Sequence, residues 1–259
     1  MTGWSGPRLA LGLLTIVPVG SPGTDRVSAR AAVLWTPVVG LALGLAVATG
    51  LYGLRVLIGP APIFQGVVAV TLLAVATRAT HLDGLAGTVD GLGSARPAGP
   101  VLEVTRRSAS GPFGVVALVL TLLLQAAALG HVVAEHRISS ALVTAVVAGR
   151  LTIVWACRRG VPAARRDGLG ALVSGTVPTP AAVVLTALVL AGAATAGWVD
   201  ESGAWRGAVF AAGAVLAALA VAGLLLRRCV RRFGGVTGDV LGACVELGQT
   251  AALLVAAAA

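Results

Sequence analysis

Long apolar stretches alternate with short polar stretches along the whole chain, and most of the polar stretches contain arginine. A helix needs about 20 apolar residues to cross a bilayer. Most of the apolar stretches approach or exceed that length, which predicts an all-α, polytopic integral membrane bundle with about 7–8 membrane-embedded helices. The stretches lie at about residues 9–20, 31–54, 62–80, 112–133, 139–156, 181–199, 205–226 and 239–259. The first is short and contains Pro18, so we interpret it as an uncleaved helix that is partly inserted or re-entrant.

The composition supports a membrane protein. Of the 259 residues, 57% are hydrophobic and 11% are charged, whereas about 25% of the residues in soluble proteins are charged. The 35 glycines and the many alanines predict close helix packing through small side chains. No soluble domain fits between the apolar stretches, so we expect residues 1–259 to form a single membrane domain whose chemistry lies in loops and helix ends.

The arginines predict the orientation of the chain in the membrane. The net charge of +9 comes from 19 arginines, with no lysine, against 10 acidic residues. Thirteen arginines lie in loops 21–30, 81–111, 157–180 and 227–238, and only three lie in the alternating loops 55–61, 134–138 and 200–206. Because arginines gather in cytoplasmic loops, we expect the first set to face the cytoplasm from the cytoplasmic (inner) membrane of a bacterium or archaeon. The basic charge then indicates membrane lipid, and not nucleic acid, as a partner.

Two segments carry candidate catalytic and metal-binding carboxylates at the predicted cytoplasmic boundary. Asp83 and Asp90 follow His81, and Asp239 and Glu246 repeat the same seven-residue spacing near the end of the chain. In a helix this spacing places both carboxylates on one face, so the two faces could form one Mg²⁺ site with substrate phosphates. The alternative for the aspartates is helix capping, and His81 is either a general base or an interfacial histidine.

Arginines and a serine form a candidate phosphate-binding site. Arg106, Arg107 and Ser108 precede a Gly-Pro turn and an apolar stretch, where guanidinium groups and a helix start can bind phosphate. Arg150 interrupts an apolar stretch, and a charge inside the membrane marks a candidate functional site. Lipid headgroups are the alternative ligand for the loop arginines, and a buried structural pair is the alternative for Arg150. With the carboxylates, these residues suggest metal-assisted transfer of a phosphorylated group, from cytoplasmic loops at about 81–111, 157–180 and 227–238.

Three motifs resemble those of a known family. They are HLDGLAGTVDGL at 81–92, SGPFGV at 110–115 and GGVTGDVLGACVEL at 234–247. In order, spacing and chain length, the sequence resembles the cobalamin synthase family (adenosylcobinamide-GDP ribazoletransferase). The resemblance implies transfer of the cobinamide-phosphate moiety of adenosylcobinamide-GDP to α-ribazole or α-ribazole 5′-phosphate, which releases GMP late in vitamin B12 synthesis. It implies Mg²⁺ as cofactor, and the family's acidic and histidine positions fall on His81, Asp83, Asp90, Asp239 and Glu246.

The chain departs from the family pattern at three positions. Gly87 stands where the family usually has an acid, Arg107 stands where an Asp is common, and Ile16 stands where an early Arg is usual. One hypothesis is that Arg107 neutralises phosphate in place of a metal, and the alternative is reduced activity.

A polytopic transporter remains the alternative from another functional class, because Arg150 and Glu246 could lie on a transport path. The concentration of polar residues at one membrane face favours an enzyme. The remaining partner hypotheses are a second copy of the chain and other enzymes of cobalamin synthesis.

Overall fold

A computed structural model describes residues 4–20, 23–94, 111–135, 138–200 and 205–259 of the chain. These residues contain ten helices and only isolated β-bridges, which confirms the prediction of an all-α membrane bundle. The helices are α1 (Ser5–Leu14), α2 (Arg26–Ile58), α3 (Pro62–Ala76), α4 (Thr80–Gly93), α5 (Pro112–Ala134), α6 (Ile138–Ala156), α7 (Gly168–Val173), α8 (Thr179–Asp200), α9 (Trp205–Phe233) and α10 (Gly238–Ala257).

Six of the described helices are long and apolar enough to cross a membrane: α2, α5, α6, α8, α9 and α10. Helices α3 and α4 pass the same test as a pair, but they are bent by 91° and form either a broken span or a re-entrant segment. Helix α1 has only 10 residues, which is about half of a membrane crossing. Its length agrees with the prediction of a partly inserted first segment.

Two predicted loops differ from the structure because helices continue into them. Residues 80–93 form helix α4, although the sequence analysis assigned residues 81–111 to a loop. Helix α9 continues to Phe233 and carries Arg231 and Arg232 in its last turn. Basic side chains are favoured at a helix C-terminus by the helix dipole. Hydropathy alone therefore underestimated the length of this helix.

Helices α6 and α10 form the centre of the bundle. In the most apolar 18-residue stretch of each of these helices, 72% is buried inside the protein, compared with 17% in α8 and 22% in α9. Glycines allow the close contacts: a Cβ at Gly149 of α6 would lie 3.0 Å from the carbonyl oxygen of Val245 in α10. Helix α4 crosses α10 equally closely. The exposed faces of α8 and α9 are left for lipid.

Candidate active site at one end of the bundle

One end of the bundle contains a cavity of about 330 Å³. Its wall is formed by the end of α1, the second and third turns of α2, the first turns of α4 and α10, the last turn of α6 and helix α7. Its apolar wall includes Leu13, Leu14, Val33, Ile153 and Leu169. Its polar wall comprises Thr36, Arg78, Thr80, His81, Asp83 and Asp239. Three of the five predicted catalytic residues therefore share one cavity.

The crossing of α4 and α10 brings Asp83 and Asp239 together. A Cβ at Gly84 would lie 2.7 Å from the carbonyl oxygen of Asp239, and a Cβ at Gly242 would lie 3.1 Å from the Cα of His81. Larger side chains at these glycines would force the helices apart. Both carboxylates line the same cavity, so two like charges face one space. Two segments that are far apart in the sequence thus place paired carboxylates at one cavity.

A strained turn between α3 and α4 directs the start of α4 into the cavity. Arg78 and Ala79 have φ values of 54° and 52°, a left-handed conformation that is uncommon for residues other than glycine. The Arg78 guanidinium donates a hydrogen bond of 2.7 Å to the carbonyl of Gly12 in α1, and the Thr80 hydroxyl donates one of 2.9 Å to the carbonyl of Thr77. Strained backbone of this kind clusters at functional sites.

Arg78, Thr80 and Thr36 line the cavity, but the sequence analysis assigned them no function. The sequence offered one signal for Arg78, namely its position only three residues before His81. Ile16, which stands where the family usually has an arginine, lies near the turn that carries Arg78. Its backbone N–H donates a hydrogen bond of 2.8 Å to the carbonyl of Ala76 at the end of α3.

Asp90 lies away from the cavity and caps helix α5. Its carboxylate accepts hydrogen bonds from the backbone N–H of Gly111 (2.6 Å) and of Gly114 (2.8 Å). The side chain is 6% exposed. Asp83 and Asp90 share a face of α4, but seven residues correspond to about 10 Å along a helix. Capping was predicted only for a carboxylate at the start of its own helix, such as Asp83 or Asp239, whereas Asp90 near the end of α4 caps the next helix, α5.

Glu246 and Arg150 also lie outside the cavity, in a buried polar network between α5, α6 and α10. Glu246 is 7% exposed and Arg150 is 1% exposed. The Gln125 amide donates hydrogen bonds of 2.9 Å to the Glu246 carboxylate and to the Thr250 hydroxyl. The Arg150 guanidinium donates one of 2.5 Å to the Gln249 side chain. The Nε of Arg150 is buried without a hydrogen-bond partner among the described residues, and the other contacts of Arg150 and Glu246 lie within the core.

The four predicted metal ligands do not converge in the structure. Among the described residues, no three His, Cys, Asp or Glu side chains are arranged to hold one metal ion. Asp83 and Asp239 share the cavity, whereas Asp90 and Glu246 have the separate partners given above. Mg²⁺ is commonly bound by only one or two carboxylates together with substrate phosphates. The Asp83 and Asp239 pair fits that kind of site.

The remaining predicted positions of the site are the loop that precedes α5 and Gly87. Arg106, Arg107 and Ser108 lie outside the described residues. Gly87 lies on α4 between Asp83 and Asp90. An acid at this position would therefore lie one turn from Asp83.

Comparison with known proteins gives the family of the chain. The sequence model of the family described as cobalamin-5-phosphate synthase matches residues 6–257. Curated relatives named adenosylcobinamide-GDP ribazoletransferase include one from Frankia casuarinae, 42% identical over 96% of this chain and 93% of the relative. A relative of the same name from a Nocardioides species is 43% identical over 97% of both chains, and one from Bradyrhizobium diazoefficiens is 37% identical over 97% of this chain and 92% of the relative.

No solved structure matches the chain significantly. The family match spans nearly the whole sequence, including all three motifs and every residue of the cavity's polar wall. It confirms the resemblance inferred from the motifs. The chain belongs to the cobalamin-5-phosphate synthase family.

Proposed function

We propose that the chain transfers the cobinamide-phosphate moiety of adenosylcobinamide-GDP to α-ribazole or α-ribazole 5′-phosphate and releases GMP. The observation that carries the proposal is the cavity that joins His81, Asp83 and Asp239 in a chain of this family. The names of the relatives from Frankia and Nocardioides support the same reaction. The expected product is a cobamide, which places the reaction at a late step of vitamin B12 synthesis.

The proposed reaction is an in-line displacement at phosphorus. A hydroxyl oxygen of the acceptor attacks the phosphorus of the cobinamide phosphate. The new P–O bond forms as the P–O bond to GMP breaks, and the bonding electron pair leaves with GMP. The hydroxyl proton passes to His81, which is the base we propose. Its imidazole lines the cavity, and its Nδ1 is buried with no hydrogen-bond partner among the residues that the structure describes.

Asp83 and Asp239 are the proposed ligands of Mg²⁺, which would neutralise diphosphate charge when bound. The pair lies where α4 and α10 cross, and a rigid crossing keeps both carboxylates at a fixed separation. The Arg78 guanidinium on the same wall is suited to bind phosphate oxygens. Asp90, Glu246 and Arg150 have positioning roles in this proposal, because their partners belong to the protein itself.

The cavity is proposed to face the cytoplasm. Arg158 follows α6 and Arg165 precedes α7, and both helices line the cavity. Arg232 lies in the last turn of α9, just before α10, whose first turn also lines the cavity. Arginine-rich ends favour the cytoplasmic side of a membrane. This orientation would give charged, water-soluble substrates direct access to the site.

The proposed activity can be tested with the purified protein in detergent. Adenosylcobinamide-GDP, Mg²⁺ and either α-ribazole or its 5′-phosphate are incubated with the protein, and GMP and the cobamide are measured by liquid chromatography and mass spectrometry. We expect equal molar amounts of both products, and neither without an acceptor. Absence of both products with a folded protein would contradict the proposal.

The effect of the departures from the family pattern can be measured in the same assay. If Arg107 compensates for a missing acid, then Gly87→Asp alone should tighten Mg²⁺ binding, and Arg107→Asp alone should strongly reduce turnover. The double variant should recover much of the loss, with a coupling of about 1 kcal/mol or more. An inactive wild-type chain that the double substitution activates would instead indicate reduced activity in this family member.

A further inference from the structure

A second cavity adjoins the first on the far side of Asp239. Its volume is about 230 Å³, and its wall includes the side chains of Arg165 and Asp167 together with residues 168–170 and 236–239. The two cavities share Leu169, Gly238 and Asp239. Asp239 therefore lies at the boundary between the cavity that contains Asp83 and the cavity that contains Arg165 and Asp167.

Backbone contacts fix the segment that carries Arg165. The Val236 N–H donates a hydrogen bond of 2.9 Å to the Pro162 carbonyl, and the Ala164 N–H donates one of 3.0 Å to the Val236 carbonyl. Ala163 and Val236 form an isolated parallel bridge. Arg165 comes directly after this bridge, so its Cα is fixed relative to the start of α10. An arginine held in this way loses less conformational freedom on binding a ligand than one on an unanchored loop.

The second cavity places one arginine, Arg165, beside the carboxylates of Asp167 and Asp239, so a phosphate there would depend on Arg165 for its positive charge. Arg165 is half-buried and lines the second cavity together with Asp239. A guanidinium binds phosphate oxygens through paired hydrogen bonds. In a diphosphate the two phosphates are adjacent, so with Mg²⁺ held by Asp83 and Asp239 one phosphate could lie at that ion while the other lies beyond Asp239, near Arg165.

We propose that the second cavity binds a phosphate group of the substrates and that the Arg165 guanidinium donates hydrogen bonds to this phosphate. The inference rests on the proposed function for the identity of the substrates. Contiguity with the first cavity favours the phosphate of the departing GMP, and the 5′-phosphate of the acceptor is the other source of the same chemistry. When the P–O bond to GMP breaks, the electron pair goes to an oxygen of the GMP phosphate, and Arg165 would neutralise the added negative charge.

Kinetics of Arg165→Gln identify which phosphate is bound. The matched control is Arg166→Gln, because Arg166 is exposed and lines neither cavity. If the GMP phosphate binds, Arg165→Gln should raise KM for adenosylcobinamide-GDP and the inhibition constant of GMP by about ten- to a hundredfold with either acceptor. If the acceptor phosphate binds, KM should rise only for α-ribazole 5′-phosphate and not for α-ribazole. Equal behaviour of the two variants would overturn the proposal.

A binding measurement separates this inference from the proposed function. The native cysteines Cys157, Cys229 and Cys244 are buried, and burial also raises the pKa of the Cys157 thiol. An Asp167→Cys thiol should therefore be the main site of maleimide labelling. Pyrophosphate should slow this labelling at least about tenfold, and Arg165→Gln should abolish the protection, whereas Arg165→Lys should retain part of it.

The outcomes are distinct. Protection that depends on Arg165, in a protein that makes no cobamide, would refute the proposed function and leave the phosphate site intact. Labelling that pyrophosphate does not change, or protection that survives Arg165→Gln, would refute the phosphate site.

Discussion

Gly84 of α4 lies against the backbone of Asp239 in α10, so that a Cβ at Gly84 would be 2.7 Å from the Asp239 carbonyl oxygen. This contact sets the distance between the two segments that carry the carboxylates of the cavity. It also explains why a glycine directly follows Asp83: any side chain there would occupy the space of the α10 backbone. The geometry of the site therefore depends on a residue that has no functional group of its own.

We predict that Gly84→Ala lowers both stability and activity. The added methyl group must push α4 away from α10, and overpacking of this kind typically costs about 1–3 kcal/mol. The melting temperature in detergent and the rate of GMP release should both fall. The matched control is Gly53→Ala in α2, where an added Cβ would meet nothing within 4 Å. Equal melting temperatures and rates for the two variants would show that the crossing tolerates a side chain.

We predict that Asp83→Asn and Asp239→Asn each weaken the dependence of turnover on Mg²⁺. Both carboxylates line one cavity, so the double variant should be little worse than either single variant, with a coupling of about 0.5–3 kcal/mol. The measurement is a Mg²⁺ titration of GMP release. Strictly additive losses would indicate that the two carboxylates act independently and do not share an ion.

We predict that Asp90→Ala mainly affects stability. Loss of a helix cap typically costs about 0.5–2 kcal/mol, and Asp90 accepts hydrogen bonds from two backbone N–H groups at the start of α5. Asp90→Asn should retain only part of the stability, because the two N–H groups bind different carboxylate oxygens and an amide has one acceptor oxygen. Thermal unfolding and Mg²⁺ titration are measured side by side. A changed Mg²⁺ dependence in a variant of unchanged stability would instead make Asp90 a metal ligand.

The hydrophobic pattern was sufficient to predict the spans, because bilayer thickness imposes a minimum apolar length that is visible in any sequence. Helical spacing also correctly paired Asp239 with Glu246 on one face. Helical spacing could not show how far along the helix axis each side chain lies. Two helical turns separate Asp239, which lines the cavity, from Glu246, which lies in the core. The turn at Arg78 and Ala79 contains neither Gly nor Pro, so no local signal marked the 91° bend that it produces.

We predict that Arg150→Met is severely destabilising. Removing Arg150 leaves the buried Gln249 oxygen without its donor, which costs about 1–3 kcal/mol, and also removes the positive charge that offsets the buried Glu246 carboxylate. Adding Glu246→Gln should restore much of the stability, since the remaining amide is neutral. Yield and melting temperature of both variants are compared. A stable Arg150→Met protein with a raised KM for adenosylcobinamide-GDP would support the phosphate-binding role predicted from the sequence.

The central claim is transfer of cobinamide phosphate at a cavity that faces the cytoplasm, and sealed vesicles of known orientation test it most directly. Adenosylcobinamide-GDP, α-ribazole and Mg²⁺ are added outside the vesicles, and external GMP and cobamide are measured. We expect both products from inverted vesicles, little of either from right-side-out vesicles, and neither from vesicles carrying Asp239→Asn. Uptake of unchanged substrate, or no cobamide in either orientation even after permeabilisation with detergent, would contradict the claim.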